Sequence, residues 1–139
     1  MSSRRKAREA AFQILYQMEF SEESPRAIFD ASEVARELED AETRDFALSL
    51  VEGARKHLPE IDALLGRLCE NWRLERMATV DRTILRLGAY ELLHRCDVPP
   101  RAAINEAVEL GKRFGAEESG AFINGVLDRI FKEVLPSQP

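Results

Sequence analysis

Arg4, Arg5, Lys6 and Arg8 put four cations into the first eight residues, with no acid among them. Residues of this type at this spacing suit one chemistry, the neutralisation of a polyanion's phosphates. The whole chain carries a formal charge of −5, so the patch stands on an acidic body and is not a solubility device. Cations at the start of a helix oppose its dipole by about 0.3–1 kcal/mol each at low salt. Four of them there call for a compensating ligand. Single-stranded RNA suits the pattern better than duplex DNA. There is no helix-turn-helix signal, the patch is small, and aromatics nearby on the same helix suit splayed, stacked bases.

A second set lies near the C-terminus. Lys112, Arg113 and Phe114 close one helix, and Ser119 is expected to cap the next. A serine cap would leave the N–H groups of Gly120, Ala121 and Phe122 at the positive end of the dipole, a seat for an anion. Glu117 and Glu118 stand beside it and would repel phosphate or satisfy the dipole themselves. Phe122 reads either as core or as a base-stacking platform.

Other chemistry is poorly represented. No serine lies in a nucleophile-elbow motif, and neither a P-loop nor a dinucleotide-binding glycine pattern is present. An enzyme is not expected, nor a cofactor. Cys69 and Cys96 stand apart without a CxxC pair, which reads as free thiols in a reducing cytoplasm. His57 and His94 are the only histidines, and so few imidazoles and thiols argue against a transition-metal site. The opening MSSRRKAREAAF has no apolar run of signal-peptide type, and no stretch approaches the roughly 20 apolar residues of a membrane span.

The elements that must position these residues read as helices. The 139 residues, 45% hydrophobic and 32% charged, fit one globular domain. Apolar spacing is helical nearly throughout, with no convincing alternation of period two. The first helix is expected over Arg4–Phe20, with Ala7, Ala11, Ile14, Leu15 and Met18 on its core face. Phe12, Tyr16 and Phe20 form a second stripe on the side of Arg5 and Arg8. Phe12 and Phe20 read as core, whereas Tyr16 falls almost opposite the core and its hydroxyl wants water or a partner. Residues 21–45 hold nine acids against three arginines, and Ser24-Pro25 is a cap and first-turn pair that opens a short helix. A helix over about Glu42–His57 buries Phe46, Leu50, Val51 and Ala54. Pro59 opens the next, with Ile61, Leu64, Leu65 and Leu68 inward. Asn71–Met77 reads as an irregular connection anchored by Trp72. The helix over about Thr79–Cys96 is apolar nearly all round and should be surrounded by others. Pro99-Pro100 breaks the chain. A helix over about Ala102–Phe114 should stop at Gly115 in a left-handed conformation. The last helix carries Phe122, Ile123, Val126, Leu127, Ile130 and Phe131. Gly125 inside it suggests close helix packing.

The segments RRKAREAAFQILYQ at the start and DRTILRLGAYELLHRCDVPPRAAINEAVELGKRFGAEESGAFINGVLDRI over residues 81–130 resemble NusB-type transcription antitermination factors. The resemblance covers nearly the whole chain and is most specific in VPPRAAINEAVELGKRFG and FINGVLD. It implies an all-α fold of about seven helices in two small packed bundles, here about 1–77 and 78–135. It also implies binding of the boxA element of nascent RNA together with NusE, a ribosomal small-subunit protein. The resulting assembly helps RNA polymerase resist termination on ribosomal RNA operons. Carried over residue by residue, RNA contact falls to Arg4, Arg5, Lys6 and Arg8, and to Lys112, Glu118 and Phe122. NusE contact falls to Tyr16 and Asp81; the family often has Glu at the latter place, one methylene longer. Gly88 stands where a larger apolar residue is common, which reads as a packing change. The family occurs as monomers and homodimers, and the sequence leaves both open. The competing reading is an RNA-targeting or protein-adaptor helical domain like the one fused to some ribosomal RNA methyltransferases.

Overall fold

A computed structural model describes residues 3–69 and 76–137. Among these are eight α-helices and no strand, the class that the apolar spacing predicts. Trp72 and most of the expected Asn71–Met77 connection lie outside the described residues. The chain divides into two units, Met1–Lys56 and His57–Pro139. The sequence reading drew this division near residue 77. The helix that moves across it packs with the second unit.

The first unit holds α1 (Ser3–Met18), α2 (Pro25–Ala31), α3 (Glu33–Arg36) and α4 (Ala41–Lys56). α1 packs chiefly on α4, and α2 packs on both. The buried face of α1 is Ala7, Ala10, Ala11, Phe12, Ile14 and Leu15, and that of α4 is Ala47, Leu50, Val51 and Ala54. The alanines let two helix backbones approach while the longer side chains fill the gaps between turns. Short polar side chains set the helix starts. Ser24 Oγ accepts from Ala27 N–H at 3.1 Å with Pro25 in the first turn, as expected. Ser32 Oγ accepts from Ala35 N–H at 3.3 Å and so opens α3, a one-turn helix in the acidic stretch that apolar periodicity is too short to reveal.

Asp40 performs the same task for α4, its Oδ1 accepting from Thr43 N–H at 2.7 Å. These hydrogen bonds from Thr43, with Arg44 adding its charge, hold the Asp40 carboxyl below its ordinary value of 3.8. A depressed folded pKa means the stabilisation is complete above the ordinary value and is lost as pH falls through the folded one. Asn in place of Asp keeps a capping oxygen but no charge. The urea midpoint of wild type should therefore exceed that of Asp40→Asn at pH 6, and the two should converge as pH falls below about 3.8. A gap that persists unchanged to pH 2.5 would contradict this assignment.

The second unit holds α5 (Leu58–Leu68), α6 (Thr79–His94), α7 (Pro100–Phe114) and α8 (Ser119–Arg129), followed by a π-helical turn Ile130–Val134 and a 3-10 turn Leu135–Ser137. α5, α7 and α8 all pack on α6, whose residues from Thr83 to Leu92 are all buried except half-buried Arg86. α6 is thus the surrounded helix that its composition predicts. Close approach depends on two glycines. A Cβ at Gly88 would lie 2.7 Å from Leu127 Cδ1, and one at Gly111 would lie 2.7 Å from Ile123 Cδ1. Gly88 is therefore a packing residue, seating Leu127 of α8 against α6.

Two other glycines behave differently from expectation. Gly115 ends α7 with φ −96° and ψ −167°, extended and not left-handed. It is small for another reason: a Cβ there would meet Ser119 Oγ at 2.5 Å and the Gly111 carbonyl at 2.8 Å. Gly125 is exposed, and its Cβ position has no neighbour within 4 Å. Close helix packing does not account for it.

Candidate nucleic-acid interface

Within the first unit, Arg4, Arg5 and Lys6 are exposed on the opening turns of α1, which holds no acid in its first turn. The dipole's positive end thus lies beside three cations in a turn without an acid. Arg8 departs from the expected patch, because it is only 5% exposed. Its guanidinium lies 5.5 Å from the Phe46 ring of α4, and that of Arg4 lies 4.3 Å from the same ring. Phe46, half-buried, is thus a platform that holds Arg4 and Arg8 by cation–π contact. A cleft of about 290 Å³ opens beside it, lined by Ser3, Arg4, Asp40, Glu42, Thr43 and Phe46. Asp40 and Glu42 make that cleft a poor seat for phosphate.

One turn further on, the aromatic stripe changes character with position. Phe12 is 3% exposed, Tyr16 36% and Phe20 70%. Phe20 is therefore not core, as its helical spacing suggested. α1 ends at Met18, and Phe20 sits in the turn beyond, edge-on to Tyr16 with ring centroids 5.3 Å apart. Tyr16 and Phe20 together make an exposed aromatic surface at the end of α1. An amphipathic ring with a free edge beside a bare phenyl ring is suited to a protein partner.

In the second unit, the α7–α8 junction gathers Lys112, Glu118 and Phe122. Lys112 is exposed and lies 3.7 Å from Glu109 one turn back. Its stem passes over the start of α8, so that a Cβ at Gly120 would lie 3.1 Å from Lys112 Cγ. Ser119 does not cap α8. It is buried, and its Oγ accepts instead from Ala116 N–H at 2.9 Å. The N-cap position falls to Glu118, whose carbonyl accepts from Phe122 N–H at 3.1 Å and whose side chain makes no capping bond. The anion seat expected of a serine cap is thus rebuilt as a tight turn locked by a buried hydroxyl. Exposed Glu117 and Glu118 stand at the dipole's positive end, where a carboxylate is favourable, while half-buried Phe122 lies on the first turn of α8.

Asp81 lies in the first turn of α6, half-buried, and its Oδ1 is shielded from solvent without a hydrogen-bond partner. Such an acceptor gains from an incoming donor.

The sequence reading missed one grouping: His57, Glu60 and His94, which the fold brings together within the second unit. Thirty-four residues separate Glu60 from His94, and no motif spacing links them. No helix among the described residues is long and apolar enough to cross a membrane.

Comparison with known proteins gives a consistent picture. The family model described as NusB family matches residues 5–132. The chain is 48% identical over 134 residues to the transcription antitermination protein NusB of Myxococcus xanthus strain DK1622, covering 94% of this chain and 95% of that protein. Among solved structures it is similar to T. maritima NusB, at 43% identity and a TM-score of 0.87, over 94% of this chain and 91% of that one. It is also similar, at 33% identity and a TM-score of 0.84, to a chain in the crystal structure of the antitermination factors NusB and NusE in complex with dsRNA, covering 95% of this chain and 98% of that one.

Proposed function

The chain belongs to the NusB family, and from that premise we propose that it is a transcription antitermination factor that binds RNA together with NusE. The observation that carries the RNA half is the exposed Arg4-Arg5-Lys6 turn at the start of a folded helix, with no acid in that turn. Its RNA is a boxA-type element of nascent transcripts, and its setting is the RNA polymerase antitermination complex on ribosomal RNA operons. It works in the cytoplasm as a binding protein and not as an enzyme.

Each residue has a role that follows from its surroundings. Arg4, Arg5 and Lys6 hold phosphates. Arg8 acts from beneath, packed near Phe46, and orients the start of α1. Lys112 adds a cation at the α7–α8 junction. Phe122 offers a face to a base, which only an unpaired base can use. The solved complex to which this chain is similar contains double-stranded RNA, so single-stranded and duplex forms of one sequence belong in the same titration. Glu118 cannot hold phosphate. It accepts from base amino groups, lowering affinity while tuning sequence preference. Tyr16 and Asp81 contact NusE, the first through an exposed ring and the second through its unsatisfied carboxylate oxygen.

The reading is tested by fluorescence anisotropy of labelled boxA RNA, with and without NusE. NusE should strengthen RNA binding. Tyr16→Asp should remove most of that strengthening, weakening NusE binding by about 2 kcal/mol, the scale of an interface hot spot. RNA binding by the variant alone should be unchanged, because Tyr16 lies more than two turns from Lys6 along α1. If NusE leaves RNA affinity unaltered in wild type, the antitermination assignment fails. RNA binding retained in that case would favour the RNA-targeting-domain reading instead.

A further inference from the structure

Three side chains of the second unit converge outside the residues assigned above to RNA and NusE. His57 stands at the N-cap of α5, Glu60 lies in its first turn, and His94 is the last residue of α6. His94 Nε2 lies 3.1 and 3.2 Å from the two Glu60 oxygens. His57 Nδ1 lies 3.5 Å from Glu60 Oε2. A ligating atom from each residue falls within 4.8 Å of the other two. A tetrahedral ion with bonds of about 2.0–2.2 Å to nitrogen and oxygen sets its ligand atoms about 3.3 Å apart. Glu60 already stands at that separation from both imidazoles. The geometry points to a binding site for a divalent transition ion of the zinc class on His57, Glu60 and His94, with water in the fourth position.

The donor set selects the class of ion. Imidazole nitrogens suit zinc, cobalt, nickel and copper, whereas magnesium and calcium take oxygen ligands. One carboxylate beside two neutral imidazoles leaves a net positive site that exposed surface tolerates. The thiols do not compete from within the core: Cys69 is 6% exposed, and burial pushes its thiol pKa up, away from the thiolate that binds metal. Cys96 is exposed near the same end of α6 and is the rival that a test must exclude.

Capture requires one movement. The His57 and His94 rings are stacked with centroids 3.7 Å apart and 15° between planes, so their in-plane lone pairs run side by side. They must splay for both to meet one ion. Their side chains are 28% and 26% exposed, which leaves room outward. Tyr90 stacks on the inner side, 6.0 Å from His57 and 5.9 Å from His94, and directs the splay toward solvent. Once bound, the ion ties the start of α5 to the end of α6. The count of two histidines argued against a metal because it took no account of the fold placing both against one carboxylate.

Isothermal titration of the full chain with zinc chloride tests this. We expect one ion per chain and a melting temperature that rises with zinc. His94→Gln and Glu60→Gln should each lower affinity at least about 10-fold, since loss of a group that merely hydrogen-bonds to a metal ligand already costs that much. Cys96→Ser should bind as wild type does. Wild-type NMR gives a readout that does not depend on any variant folding: the ring protons of both histidines should shift together and saturate at one equivalent. No saturable binding, retention of wild-type affinity in His94→Gln, or loss of binding in Cys96→Ser would each overturn the site.

Discussion

Replacing Arg4, Arg5 and Lys6 together with glutamine will flatten the salt dependence of RNA binding by about two units of log K per unit of log salt. Each phosphate neutralised on a single strand releases counterions worth about 0.7 of slope, so three contacts contribute about 2.1. Between 50 and 200 mM salt that slope changes affinity about 20-fold. The variant's deficit should therefore be severe at 50 mM and shrink by about that factor at 200 mM. The same substitution should on balance stabilise the fold, because removing three cations that oppose the α1 dipole, at about 0.3–1 kcal/mol each at low salt, outweighs losing the Arg4–Phe46 cation–π contact, about 0.5–1 kcal/mol. Weaker binding together with a higher urea midpoint is a result that damage to the fold cannot produce. Arg8→Gln should do the reverse. That side chain is 5% exposed and packed near Phe46, so the variant loses stability and keeps most of the slope. An unchanged slope in the triple variant would remove α1 from the RNA surface.

Leu127→Ala will cost about 2–5 kcal/mol of folding free energy, the range for truncating a buried leucine. Leu127 is fully buried, and its Cδ1 occupies the space that a Cβ at Gly88 would need, at 2.7 Å. The two positions should be coupled with a definite sign. Gly88→Ala alone should destabilise, because the added methyl displaces a leucine with little free volume around it. In the Leu127→Ala background the same methyl enters the cavity, and alanine's helix propensity, about 1 kcal/mol better than glycine's, becomes a net gain. A double-mutant cycle by urea denaturation measures the coupling. Additive effects would show that Gly88 does not seat Leu127.

The two expectations rest on different kinds of information in the chain. The cationic turn of α1 is local, four residues within eight positions, and needs no tertiary structure to be seen. The same holds for Ser24-Pro25 opening α2, and for Tyr16, which 100° per residue places opposite Ile14 and Ala11. The all-helical class was legible for that reason, since periodicity and caps act within one or two turns. The Gly88–Leu127 contact was not. A glycine in α6 records that something approaches, but not what approaches.

Tertiary structure alone decided which member of each local set reaches solvent. Arg8 shares a basic cluster with Arg4, yet lies buried while its neighbours stay exposed. Phe20 continues an aromatic stripe but escapes the core because α1 ends before it. Ser119 has the right type and place for a helix cap, and its hydroxyl turns back to Ala116 because the turn after Gly115 is tight enough to reach. His57 and His94 meet at Glu60 only because α5 packs on α6. In each case the deciding neighbour lies in another element or across a turn. The sequence therefore determined the helices, their faces and a basic helix start suited to RNA. Packing between helices determined which charges remain available and which distant side chains meet, because burial depends on neighbours that no local spacing encodes.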